Sequence, residues 1–249
     1  KMEIYAAMVE NLDHNIGRLV QYLRDIGAYE NTFIFFQSDN GAEGGKSFPD
    51  GPNTDNSFEN LGRPLSNVYY GRRWAEVGAT PFRLWKAFPS EGGVVVPAIA
   101  RLPRTNGNPV AFAKLTHVSD VLPTFLELAG VSNPGSSYQG KPVNPITGVS
   151  LLPALLDRVP SARPPGAVLA EELFGRRFVR KDDWKLSYIE APWSAAGWQL
   201  FNLRTDRAES TDVAAAHPDV VAALTAEWDA YVARVGVVLP DVIGLAGRE

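Results

Sequence analysis

The sequence predicts an α/β protein that closes with a small antiparallel sheet and a packed helix, and three observations carry that expectation. An amphipathic helical stretch runs through a short turn into an apolar, β-prone run. A second such run is followed by another helix. Four short strands with polar turns then precede a final helix. In the first stretch Ile4, Met8, Leu12, Ile16, Leu19, Val20 and Leu23 recur at steps of three and four, one apolar stripe of a helix. Gly27 fits the position just past its end, where a left-handed residue closes the last turn. A helix leading into a strand is half of a βαβ unit, so the stripe expects a sheet that this chain only partly supplies.

Residues 32–36, Thr-Phe-Ile-Phe-Phe, read as a buried strand, and so do residues 94–100, Val-Val-Val-Pro-Ala-Ile-Ala. Between them residues 41–82 are loop-rich, and a long stretch with little periodicity is usually functional. Ser119 is the expected cap of a helix over 120–129 that stops at Gly130, with Pro123 in its first turn. Ser150 is the expected cap of a short helix over 151–156. Arg163-Pro-Pro-Gly166 reads as a boundary, giving an α/β portion over 1–163 and an α+β portion over 164–249. In the latter, 167–173, 176–180, 184–190 and 198–203 are strand candidates. The last helix starts at Pro218 and lays Val221, Leu224, Trp228 and Tyr231 or Val232 along one face.

The 249 residues are 45% hydrophobic and 21% charged, the balance of an ordinary globular protein. A net charge of −4 without a basic cluster argues against nucleic acid or an anionic membrane as partner. No apolar run approaches the ~18 residues of a membrane span. The absence of cysteine excludes disulfides and thiolate metal sites and leaves the compartment open.

Ser38-Asp39-Asn40-Gly41 follows the first strand directly. Asp39 offers a carboxylate and Asn40 an amide carbonyl, hard oxygen donors of the kind Ca²⁺ or Mg²⁺ accepts, at the carboxyl end of an α/β strand. The same tetrapeptide also reads as an Asx turn ending in a left-handed glycine. Two residues cannot supply the six to eight oxygens calcium takes, so a metal here needs donors from elsewhere.

Four further segments stand in order: Tyr5-Ala-Ala-Met-Val-Glu-Asn-Leu-Asp-His-Asn-Ile-Gly-Arg-Leu, then Lys86-Ala-Phe-Pro-Ser-Glu-Gly-Gly-Val-Val-Val-Pro-Ala-Ile, then His117-Val-Ser-Asp-Val-Leu-Pro-Thr-Phe-Leu-Glu-Leu-Ala-Gly, and Gln199-Leu-Phe-Asn-Leu-Arg-Thr-Asp-Arg-Ala-Glu. In that order they resemble the carboxyl-terminal half of the type I sulfatases, bacterial arylsulfatases in particular. The resemblance covers essentially the whole chain. It implies the carboxyl-terminal part of an alkaline-phosphatase-like α/β/α sandwich and hydrolysis of sulfate esters. It also implies a Ca²⁺ site to which Asp39 and Asn40 contribute, and a sulfate-binding, catalytic role for Lys86. A small-molecule sulfate ester is then the expected substrate.

The family's nucleophile is a formylglycine made within Cys/Ser-x-Pro-x-Arg, and this chain has no such motif, nor the family's Lys-x-His. It is therefore expected to be a fragment, inactive alone, whose partner is the missing N-terminal half. A phosphonate monoester or phosphodiester hydrolase of the same superfamily is the near alternative, and a non-catalytic isolated domain the distant one. Val95 stands where many sulfatases carry Arg. Tyr69, Tyr70, Trp74 and Trp85 can wall an aryl site or pack the loop onto the core. His14, His117 and His217 match none of the family's active-site histidines and are read as structural or solvated. Asp182-Asp183 reads as a hairpin turn, and Glu171 and Glu172 have no partner readable from the sequence.

Overall fold

The computed structural model describes residues 1–45, 50–104, 111–157, 159, 161–195 and 197–243. It forms two compact units, one of residues 1–106 together with 168–249, the other of residues 107–167.

In the first unit, α1 (Met2–Asp25) ends as its sequence requires. Gly27 has φ 70°, its N–H donates to Arg24 O at 3.0 Å, and Ala28 N–H donates to Leu23 O at 2.8 Å. This paired closure satisfies two carbonyls the helix leaves over. The apolar stripe is only half covered. Ile4, Ile16, Val20 and Leu23 are half-buried, whereas Met8, Leu12 and Leu19 are exposed.

β1 (Ile34–Gln37) pairs antiparallel with β2 (Ala98–Arg101), in a register that sets Ile34 against Arg101 and Gln37 against Ala98. Two expectations need correction. Both runs were expected to be buried, yet β1 is half-buried and three of the four β2 residues are exposed. The run 94–100 is also not one strand, because Val94 closes α3 (Glu91–Val94) and the strand begins at Ala98. Val94 N–H and Val95 N–H donate to Ser90 O and Glu91 O. One helical turn thus claims the head of the valine run, a choice that a short apolar run does not encode. Between these strands lies α2 (Arg72–Ala79).

The late segment is more regular. β5 (Val168–Leu173), β6 (Arg176–Lys181), β7 (Trp184–Tyr188) and β8 (Trp198–Asn202) form an antiparallel meander in sequence order. Asp182, at φ 52°, turns the β6–β7 hairpin as expected. Ala170, Val179, Leu186 and Leu200 face one another across the strands and make a continuous apolar row. α6 (Pro218–Val235) lays Leu224 and Trp228 on that row. Because successive strand residues point to opposite faces, Phe178, Lys185 and Phe201 belong to the other face. They too are buried.

In the second unit a short helical turn leads into α4 (Val121–Leu128). The expected cap, Ser119, is replaced by His117, whose Nδ1 accepts from Ser119 N–H at 3.3 Å while Asp120 Oδ2 accepts from His117 N–H at 2.8 Å. Gly130 closes the helix with φ 65°. β3 (Ser137–Tyr138) and β4 (Lys141–Pro142) make a minimal hairpin. α5 (Leu152–Leu155) follows, with Ser150 Oγ accepting from Leu152 N–H at 3.2 Å. Asp120 is fully buried and also accepts from Val149 N–H and Arg163. It therefore ties the two ends of this unit together.

No helix among the described residues is long and apolar enough to cross a membrane.

Candidate functional site

The turn after β1 continues its pairing for one residue, with Ser38 N–H donating to Pro97 O at 3.2 Å. Asp39 is exposed and Asn40 half-buried. Asn40 N–H donates to Asp39 Oδ1 at 3.1 Å, and its amide nitrogen donates to Gly41 O at 2.9 Å, which leaves Asn40 Oδ1 as the acceptor. Gly41 then meets the Gly92-Gly93 pair. Its N–H donates to Gly93 O at 2.9 Å, and a Cβ on Gly41 would lie 2.0 Å from Gly92 O. Gly41 serves this close approach and not the left-handed turn weighed from the sequence.

Lys86 reaches the same neighbourhood through the backbone. Its N–H donates to Ala42 O at 3.0 Å, one residue beyond the Gly41–Gly93 contact. Residues 39–42 and 86–93, remote in sequence, therefore lie side by side. The Lys86 ammonium pairs with Glu43 Oε2 at 2.9 Å, and both side chains stay about one-third exposed. Sequence reasoning passed over Glu43, because no motif or periodicity marks it. Leu84 (φ 61°) and Ala87 (φ 75°), on either side of Lys86, hold left-handed backbone that non-glycine residues rarely adopt.

The aromatic candidates separate. Trp85 is buried, with its ring against Gly44 and edge-on to Phe88 and Trp193 at 5.3 Å each. It is a core residue. Tyr70 stacks on Tyr5 at 4.8 Å, and burial, with Tyr5 and Glu43 nearby, pushes its hydroxyl above the ordinary tyrosine value. Tyr69 and Trp74 remain exposed.

Of the remaining residues, His14 is exposed on α1, His117 serves as the cap described above, and His217 lies 4.9 Å from the Trp184 ring at the start of α6. Glu172 Oε1 accepts from Gly175 N–H at 2.5 Å, closing the β5–β6 turn. Val95 is half-buried just after α3.

Asp39 and Asn40 have the donor chemistry for calcium but supply only part of a shell. Among the described residues no group of three or more His, Cys, Asp or Glu side chains converges as a metal site would require.

The family model described as Sulfatase matches residues 1–131. An uncharacterized sulfatase of Schizosaccharomyces pombe is 40% identical over 249 aligned residues, spanning 96% of this chain and 45% of that protein. An arylsulfatase of Klebsiella aerogenes is 37% identical over 157 residues, or 60% of this chain and 34% of that protein. The solved structure of a sulfatase from Pseudoalteromonas sp. shares the fold with a TM-score of 0.61 at 22% identity, over 96% of this chain and 44% of that one. The chain spans less than half the length of these relatives.

Proposed function

This chain belongs to the sulfatase family, of alkaline-phosphatase-like fold, and we propose that the protein it forms hydrolyses sulfate monoesters, with aryl sulfates as the substrate class. The observation that carries the proposal is the pair of backbone hydrogen bonds, Gly41 to Gly93 and Lys86 to Ala42, that sets the Asp39-Asn40 turn beside the lysine segment. Likeness to the Klebsiella arylsulfatase favours the aryl class.

In this reading Asp39 and Asn40 hold part of a Ca²⁺ shell, and calcium, when bound, offsets negative charge on the sulfate. Lys86 binds the sulfate. A compact ammonium suits a tetrahedral anion whose charge is spread over several oxygens, and the same charge stabilises the transition state. Glu43 holds the ammonium at the site until an anionic ester takes its place. The nucleophile, a formylglycine, is expected from a segment beyond this sequence, and the chain by itself is expected to turn over no aryl sulfate.

The test is an aryl sulfate assay on the protein that carries both this chain and the nucleophile. Lys86→Met should lower kcat/KM by roughly two to three orders of magnitude, the scale of losing one charge-stabilising donor. Asp39→Ala should abolish calcium retention on elemental analysis as well as activity. An unchanged rate in Lys86→Met would overturn the reading. Faster turnover of a phosphonate monoester or phosphodiester than of any sulfate would move it to that substrate class.

A further inference from the structure

We propose that Lys185, buried in the late antiparallel sheet, is a positioning residue that sets Lys86 and the Asp39-Asn40 turn against each other. The proposal rests on the reading of Lys86 as the sulfate-binding group.

Lys185 has no solvent exposure, and its two carboxylate partners are almost as deeply buried. Its ammonium lies 2.8 Å from Glu91 Oε1 and 3.0 Å from Glu209 Oε1. The first contact is a hydrogen bond. The second is within ion-pair reach, but Glu209 Oε1 makes no hydrogen bond, so that contact is one of charge. Glu209 Oε2 meanwhile accepts from Glu91 N–H at 2.7 Å. One cation and two carboxylates out of water are a poor source of net stability, because desolvation offsets most of their attraction. What such a set supplies is orientation.

Glu91 opens α3 immediately before Gly92-Gly93, and Gly93 O is the acceptor for Gly41 N–H. Lys185 therefore grips one end of the lysine segment where that segment meets the Asp39-Asn40 turn. A second grip holds the other end. Arg176, also buried, donates to Ala87 O at 3.1 Å and to Glu190, and its guanidinium lies 3.8 Å over the Phe88 ring. Lys86 sits immediately beside the second grip, flanked by the left-handed Leu84 and Ala87. Such strained backbone persists only where its surroundings over-determine it. The sheet face opposite α6 thus acts as the bed that sets the position of the lysine.

The decisive experiment is a double-mutant cycle in the protein that carries the nucleophile, with kcat/KM for an aryl sulfate expressed per folded molecule. Lys185→Met should lower it roughly 10- to 100-fold, the scale of a displacement of about 1 Å at a catalytic contact. In a Lys86→Met background the same change should lower it by no more than about twofold, because a residue acting through Lys86 has nothing left to position. An equal fall in both backgrounds would overturn the proposal. So would no fall in either.

Lys185→Met leaves two buried carboxylates unpaired. If it does not fold, the neutral variant Lys185→Gln/Glu91→Gln/Glu209→Gln takes its place in the cycle. Failure of that variant to fold would assign the cluster to the fold as a whole and overturn the positioning role.

Amide exchange separates this inference from the functional reading. In the Lys185 variant the amides of Gly41, Lys86 and Glu91 should lose at least tenfold in protection while those of Leu186 and Leu200 keep theirs. That pattern with an active Lys86→Met would sustain the positioning and sink the sulfate role. Unchanged protection at Gly41 and Lys86 would sink the positioning.

Discussion

α1 and α6 carry the same kind of apolar stripe and meet opposite fates. In α6, Leu224 and Trp228 are 2% and 5% exposed, because the row Ala170, Val179, Leu186, Leu200 lies beneath them. In α1, Met8 and Leu12 are 66% and 49% exposed, and no residue of that helix is buried. Periodicity states which face of a helix wants covering. A second layer is what covers it, and β5–β8 supplies that layer to α6 while α1 stays only half covered. The sheet is also the region whose strands were most legible, since its alternation, its turn residues and its core row agree with one another.

The widest test of that contrast is Leu186→Ala. It removes a fully buried side chain from the central row and should cost about 2–5 kcal/mol in urea denaturation, the range for such truncations. A loss under about 1 kcal/mol would mean that the row is not the core of this unit.

A smaller effect is expected at the loop that carries Glu209. Burial raises the Asp206 carboxyl, but the N–H groups of Ser210 and Thr211, the Ser210 hydroxyl and nearby Arg83 outweigh it and hold the group below the ordinary aspartate value. A depressed carboxyl contributes stability that is present above its unfolded value, near pH 4, and lost as pH falls through the folded one. The stability advantage of the protein over Asp206→Asn should therefore shrink as pH drops below about 4. A difference constant down to pH 2 would contradict this.

The smallest effect belongs to α1. Met8→Gln and Leu12→Gln remove apolar surface that already faces solvent and should shift the unfolding free energy of this chain by no more than about 0.5 kcal/mol. A loss above 1.5 kcal/mol would show that the stripe is covered in solution.

Local chemistry was readable in the sequence wherever short-range rules decide the outcome. Gly27 and Gly130 end their helices in left-handed conformation, and Asp182-Asp183 turns the β6–β7 hairpin. α6 begins at Pro218, and the four late strands fall within a few residues of their expected limits. Asp39 and Asn40 stood out by their donor chemistry just past an apolar strand, but Lys86 was joined to them by resemblance alone, since spacing could not link residues so far apart in the chain. The tertiary structure decided what joins them. It split the run 94–100 between α3 and β2, paired β1 antiparallel, and gave Lys86 its partner Glu43. It also buried Lys185, which strand alternation opposite Leu186 would leave on a solvent face, between Glu91 and Glu209. The physical reason is range. Caps, turns and periodicity are settled by neighbours a few residues away, whereas the fate of a charge or an apolar face is settled by which distant layer comes to lie on it.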